Sequence, residues 1–76
     1  MTAPKIPDWM KVVADGSIIG AEEIAQIWGC HASNIPRNIE RGEILKESFS
    51  KEERGRTIRR WYMRDVRQHI KNLNKG

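Results

Sequence analysis

The sequence predicts one small α+β domain, and three observations lead to this prediction. The chain has 76 residues, and a chain of this length buries only about 60% of its unfolded surface, enough for one core but not for a deep enzyme cleft. Apolar residues recur at helical spacing in four segments. Between the third and the fourth of these lie two stretches that are typical of paired strands.

The first predicted helix begins at Pro7 and Asp8, because a helix's first turn needs no proline N–H and its dipole favours an acid. Its apolar residues are Trp9, Met10, Val12 and Val13, and Gly16 ends the run. We expect Trp9 to cover one end of the core. Residues 1–6 show no periodicity and are predicted to form a flexible arm.

A helix-turn-helix pattern follows. The first of its helices has an apolar stripe at i, i+3, i+4 and i+7, formed by Ala21, Ile24, Ala25 and Trp28. Gly29 ends this helix. The second helix is expected to begin at Ala32 or later, because Pro36 is tolerated only in a first turn. Ile35 and Ile39 supply its buried side. Two short helices joined by a glycine-containing turn are the sequence form of a helix-turn-helix.

The last third predicts a hairpin and a final helix. Residues 44–49 and 57–63 are expected to be strands around a charged loop at 50–55. Residues 64–73 form the final helix, with Val66, Ile70 and Leu73 facing inward, and residues 74–76 are expected to fray. The whole order predicts a winged helix-turn-helix: a short N-terminal helix, the helix-turn-helix, a two-stranded wing and a C-terminal helix, spanning residues 7–73.

The charge of the chain is divided unevenly. Residues 1–53 hold six Lys/Arg and nine Asp/Glu, a net charge of −3, whereas residues 54–76 hold eight Lys/Arg and one Asp, a net charge of +7. A concentrated basic surface favours nucleic-acid binding. The alternative is a basic tail that is merely solvated.

Four segments occur in a familiar order: Ile19 to His31, Ile39 to Ile44, Gly55-Arg56 and Arg64 to Val66. Over about residues 18 to 70, their order and spacing resemble the MerR-like and phage excisionase winged-helix superfamily. The resemblance implies sequence-specific binding of double-stranded DNA by a phage or mobile-element protein, either an excisionase-like architectural factor or a small transcriptional regulator. Three features depart from the family pattern: Gly20 in place of a Ser or Thr cap, Pro36, and the acidic pair Glu52-Glu53 in the wing.

The outward side of the second helix supplies the candidate DNA-reading residues. With Ile35 and Ile39 inward, the opposite side is predicted to carry Ser33, Asn34, Arg37, Asn38 and Arg41. Arg37 and Asn38 are the best candidates for base contacts, because Arg donates twice to guanine and Asn pairs bidentately with adenine. Arg41 is expected to contact phosphate.

The wing and its basic strand supply a second set, Lys51, Arg54, Arg56 and Arg59. Protruding arginines suit a narrow minor groove or the DNA backbone. Because strand residues alternate, only one of Arg59 and Arg60 is expected on the exposed face. Trp61 is predicted to lie in the core.

Nothing in the chain indicates an enzyme, a metal centre or a cofactor. Cys30 is expected to be an inert buried thiol, and Cys30, His31 and His69 do not make a structural zinc set. No nucleophile with a base and an orienting group is present. The apolar stretches are too short to span a membrane, and no signal peptide opens the chain. We therefore expect a cytoplasmic, nucleoid-associated bacterial protein.

Two other functions fit the same predicted fold. One is the DNA-recognition domain of a viral terminase small subunit, and the other is a winged module that binds protein instead of DNA. An integrase or another phage protein is an expected partner of the leading candidate. Copies on DNA are also expected to associate head to tail, with Glu52-Glu53 of one copy meeting Arg64, Arg67 and Lys71 of the next.

Overall fold

A computed structural model describes residues 4–75 of the chain. Over this range the protein is α+β, with three α-helices and one three-stranded antiparallel sheet of order β1-β3-β2. The strands are β1 (Ile18–Ile19), β2 (Phe49–Glu53) and β3 (Arg56–Tyr62), and the helices are α1 (Ala21–Trp28), α2 (Ile35–Glu40) and α3 (Met63–Lys75). Two 3₁₀ turns, Asp8–Lys11 and Ala32–Asn34, precede β1 and α2.

Helix α1 has the bounds that its apolar stripe predicts. Gly20 has no side chain with which to cap the helix, and the Glu23 carboxylate accepts a hydrogen bond from the Gly20 N–H at 3.1 Å instead. A Cβ at Gly20 would lie 2.9 Å from Arg60 Nη1, so glycine leaves room for that guanidinium. Gly29 ends the helix with φ +65°, a conformation that glycine adopts without strain.

Helix α2 also begins as predicted. Its segment opens with the 3₁₀ turn at Ala32, where His31 Nδ1 accepts a hydrogen bond from the Ser33 N–H at 3.2 Å. Pro36 falls in the first turn of α2, where its missing N–H leaves no carbonyl without a partner. Gly42, with φ +76°, follows the helix.

The sheet differs from the prediction in two ways. The first strand of the hairpin is not at residues 44–49; it occupies Phe49–Glu53, most of which was assigned to a loop. All five side chains of β2 are exposed, so no apolar alternation marks this strand, and its backbone pairing with β3 holds it in place. A third strand, β1, was missed because it has only two residues, Ile18 and Ile19, which pair with Tyr62 and Trp61.

Helix α3 begins one residue earlier than predicted and continues through Asn74 to Lys75. Val66 and Ile70 are buried as expected, but Leu73 is 47% exposed, so its assignment to the core was wrong. Two loop carbonyls cap the start of the helix: Met63 N–H donates to Ser17 O at 2.8 Å and Arg64 N–H to Asp15 O at 3.0 Å. Of the tail predicted to fray, Gly76 lies outside the described residues.

The N-terminal segment is not an α-helix. It forms a single 3₁₀ turn in which Met10 is buried, whereas Val12 is 85% exposed. Trp9 is half-buried, and its indole N–H donates to Gln26 Oε1 at 2.9 Å. Of the predicted arm, residues 1–3 lie outside the described residues, and Lys5 N–H donates to Ile27 O at 2.6 Å. This segment and α3 share a depression of about 300 Å³, whose lining includes Ile6 and Asn74.

The core lies between α1, α3 and the inner face of the sheet. Trp28 and Trp61 are its largest side chains, at 2% and 0% exposure. Trp61 Nε1 donates to Leu45 O at 2.9 Å, which attaches the loop before β2 to the sheet. The prediction that Trp61 belongs to the core is confirmed. The other buried residues are Met10, Ile19, Ile24, Ala25, Ile27, Ile35, Ile44, Met63, Val66 and Ile70.

Candidate nucleic-acid interface

The exposed side of α2 is centred on Arg37. This residue is two positions from both Ile35 and Ile39, which places it about 200° round the helix from each. Ile35 is 1% exposed and Ile39 packs against the core, so Arg37 points to solvent. Arg41 follows the helix and is also exposed. Within residues 4–75, neither guanidinium has an ion-pair or hydrogen-bond partner.

Asn38 is less available than its predicted role requires. It is half-buried, because it lies about 60° from Ile35 and 100° from Ile39, at the margin of the buried side. Its backbone carbonyl accepts hydrogen bonds from Glu43 N–H at 2.9 Å and Ile44 N–H at 3.3 Å. Glu40, about 60° from Arg37, is exposed on the same side as Arg37 and Arg41.

Ser33 and Asn34 lie in the 3₁₀ turn ahead of α2, and both are exposed. The Ser33 hydroxyl is 2.8 Å from His31 Nδ1, the same atom that caps the turn. Ser33 is therefore part of a local capping arrangement, whereas the Asn34 side chain faces solvent. The turn places both residues at the amino end of α2, the end from which recognition helices contact bases.

The tip of the hairpin is the dipeptide Arg54-Gly55, not the acidic pair. Both residues have positive φ, 51° for Arg54 and 76° for Gly55, as a two-residue hairpin turn of type I′ requires. Glu52 and Glu53 lie one step back in β2: Glu52 Oε1 accepts from Thr57 Oγ1 at 2.8 Å, and Glu53 pairs with Lys51 at 3.4 Å. The tip is therefore cationic and exposed.

The other wing residues divide between the two faces of the hairpin. Lys51 is opposite Ile58 and Arg56 is opposite Glu53, so Lys51 and Arg56 share the outer face. Arg59 points to the other face, where its Nε lies 3.5 Å from a Glu47 carboxylate oxygen. That side chain is 28% exposed. Of the four predicted wing contacts, Lys51 and Arg59 are thus paired within the protein, Lys51 with Glu53 and Arg59 with Glu47.

Two further arginines of the basic third take part in the fold. Arg67 forms an ion pair with Asp15 and donates to the carbonyls of Met10 and Val13. Arg60 Nη1 donates to Arg59 O at 3.1 Å. Arg67 is therefore occupied by its own chain and does not present a free charge to a neighbouring copy, contrary to the basic surface predicted for head-to-tail association.

Each residue considered for metal binding contacts another part of the protein, and His31 is hydrogen-bonded to Ser33. Cys30 is half-buried and packs against the core, and His69 packs its ring 5.9 Å from that of Trp28. Among residues 4–75, no three His, Cys, Asp or Glu side chains are grouped as metal ligands. Over the same range, no helix has the length and apolar character needed to cross a bilayer.

No protein-family model, curated protein or solved structure matches the chain. The candidate interface is therefore defined by geometry alone: Arg37, Arg41 and Asn34 at α2, and Arg54 at the hairpin tip. Sequence reasoning missed Glu47, the partner of Arg59, because it assigned residues 44–49 to a strand. The acid itself was visible in the sequence, but its position relative to β3 depends on the loop path.

Proposed function

We propose that the protein is a winged helix-turn-helix that binds double-stranded DNA with sequence specificity. In this proposal α1 and α2 form the helix-turn-helix, and the β2–β3 hairpin is the wing. One observation carries the proposal: Arg37 and Arg41 project from the solvent side of α2 without internal partners, while Arg59 and Arg67 are engaged by their own chain.

Each of the three arginines of the candidate interface has a distinct role in this mode of binding. With α2 in the major groove, the planar guanidinium of Arg37 donates two hydrogen bonds to guanine O6 and N7. Arg41, at the end of the helix, contacts a phosphate and fixes the position of the protein without reading sequence. Arg54, at the exposed turn, reaches the minor groove or the backbone beside it.

The short recognition helix limits what one copy can read. Helix α2 has six residues, so few side chains can reach base edges at once. A small architectural factor or regulator that binds adjacent sites together fits this limit, since a second bound copy raises the effective concentration of the first. The resemblance to phage excisionases supports this assignment, with an integrase or another phage protein as partner.

Salt-dependent binding to a random-sequence duplex tests the proposal. If the cations of α2 and the tip contact phosphates, log affinity falls steeply with log salt, by about 0.9 for each phosphate neutralised. The double variant Arg37→Gln, Arg41→Gln should weaken binding and flatten the slope. The matched control, Lys11→Gln with Lys71→Gln, removes the same charge from the depression between the N-terminal segment and α3 and should change the slope less.

Two results would count against DNA binding by this surface. If both double variants flatten the slope equally, the binding is a general effect of net charge. If the native protein binds duplex with no dependence on salt, or not at all, a protein-binding module becomes the better assignment. If the protein instead shows the expected salt dependence, a footprint on the surrounding genomic DNA would identify its binding site.

A further inference from the structure

The outer face of the sheet carries apolar side chains that the fold leaves uncovered. Strand pairing places Ile18 opposite Tyr62 and Phe49 opposite Arg60, and alternation adds Ile58 to the same face. Ile18 is 52% exposed and Phe49 is 40% exposed. The rings of Phe49 and Tyr62 are in contact, with centroids 5.5 Å apart. We name this group, Ile18, Phe49, Ile58 and Tyr62, the outer sheet patch.

Cations surround the outer sheet patch. The Arg64 guanidinium lies over the Tyr62 ring, 4.8 Å from its centroid, and Arg60 and Arg56 belong to the same face by register. Within the described part of the chain, none of these three arginines forms an ion pair. The acids near these arginines include Glu53, which is paired with Lys51, and Asp15, which lines a depression with Arg64 but is paired with Arg67. Two further acids, Glu22 and Glu23 of α1, share a depression of about 430 Å³ with Ile18 and Arg60.

We propose that the outer sheet patch is a docking surface for an acidic segment of another protein that carries apolar side chains. Aromatic residues and arginine are enriched at the centres of protein interfaces, and here they adjoin. Unpaired arginines at the rim favour a carboxylate-bearing partner, since like charges would be repelled and opposite ones drawn in. The patch shares no residue with the proposed DNA interface, which consists of Asn34, Arg37 and Arg41 at α2 and Arg54 at the hairpin tip, so this docking is tested independently of DNA binding.

The geometry favours protein over single-stranded nucleic acid. Bases stack on flat, open aromatic faces, but the Tyr62 ring already has a guanidinium over it, and the two rings are tilted by 47°. Ile18 and Ile58 add aliphatic area, which offers a base no aromatic ring to stack on. The patch therefore presents contact area of the kind that apolar side chains fill.

Nuclear magnetic resonance titration of the full chain tests the docking surface. The probe is a synthetic peptide in which glutamates alternate with leucine and phenylalanine, and its matched control has glutamine in place of every glutamate. We expect the acidic peptide to shift the amide resonances of Ile18, Phe49 and Tyr62, and to bind at least roughly tenfold more tightly than the glutamine peptide. A single-stranded oligonucleotide serves as the competing ligand.

Variants at exposed positions locate the contact without disturbing the core. Phe49→Ser and Arg64→Gln should each weaken binding of the acidic peptide by roughly tenfold. Val12→Ser, at an apolar side chain outside the patch that is 85% exposed, should leave the affinity unchanged. Circular dichroism establishes that each variant is folded. Shifts confined to other surfaces, equal binding of the glutamine peptide, or stronger binding of the oligonucleotide to the patch would each overturn the proposal.

Discussion

Arg37 and Arg67 are the same residue type on two helices, yet the structure gives them opposite environments. Arg67 on α3 joins Asp15 and two backbone carbonyls of the N-terminal segment. Arg37 on α2 is exposed, and within the described residues its side chain forms no ion pair or hydrogen bond. The difference teaches that residue type and net charge do not show which cations can bind a partner: some arginines stabilise the fold, and only the others are available.

Removing Arg67 should give the largest effect on stability. Arg67→Ala breaks three charge-assisted hydrogen bonds and releases the N-terminal segment from α3, which should lower the free energy of unfolding by about 2–3 kcal/mol. Urea denaturation followed by circular dichroism measures this change. The control is Arg64→Ala, which removes only the contact with the Tyr62 ring and should change stability by about 0.5 kcal/mol. If both variants lower the free energy of unfolding equally, the hydrogen bonds of Arg67 do not stabilise the fold more than the contact of Arg64 with the Tyr62 ring.

Removing Arg37 should show the reverse pattern. Arg37→Ala should weaken binding to the cognate DNA site by about 2 kcal/mol and binding to random duplex much less, as expected for a bidentate base contact. Its free energy of unfolding should change by less than about 0.5 kcal/mol. Fluorescence anisotropy on the two duplexes measures the first pair of values. Equal weakening on both would reassign Arg37 to a phosphate contact.

Arg54 separates stability from binding at a single position. A non-glycine residue at φ 51° is strained, so Arg54→Gly should raise the free energy of unfolding by about 0.5–1 kcal/mol, after allowing for the greater freedom of glycine in the unfolded chain. The same change should weaken binding to all duplexes alike. Arg54→Ala removes the charge but keeps the strain. If Arg54→Gly binds DNA as tightly as the native protein, the Arg54-Gly55 turn is not part of the DNA interface.

The smallest effect should come from Arg59 and Glu47. Their contact is 3.5 Å long and partly exposed, and such pairs contribute about 0.2–1 kcal/mol. A double-mutant cycle of Arg59→Gln and Glu47→Gln, measured by urea denaturation, should give a coupling energy of about 0.5 kcal/mol. If Arg59→Gln instead changes DNA affinity as strongly as Arg37→Ala, the pair opens on binding and Arg59 belongs with the free arginines.

The sequence predicts some elements far better than others. Helix α1 is predictable because its apolar stripe, its acidic first turn and Gly29 all agree, and the structure has the same bounds. Strand β2 is not predictable in this way, because its side chains are all exposed and only its backbone pairing with β3 defines it. The N-terminal turn was overassigned because Val12 matches a helical period while facing solvent.

In the candidate site too, features that depend on local helix geometry are predictable from the sequence, and features that depend on distant residues are not. The exposure of Arg37 follows from the positions of Ile35 and Ile39, so helical geometry alone predicts it. The half-burial of Asn38 follows from the same angles, and the sequence interpretation placed it too far from the core. The pairing of Arg59 and Arg67 depends on contacts with residues 12 and 52 positions away, which no local pattern contains.

The depression between the N-terminal segment and α3 also indicates how the chain can be circularly permuted. Ile6 and Asn74 line the same hollow, so the first and last segments of residues 4–75 lie close together, as the ends of domains often do. A short flexible linker can therefore join them, and the Arg54-Gly55 turn offers an exposed place to open new ends. A circular permutant of this kind would keep the helices, the sheet and the core while changing only the order in which they are synthesised.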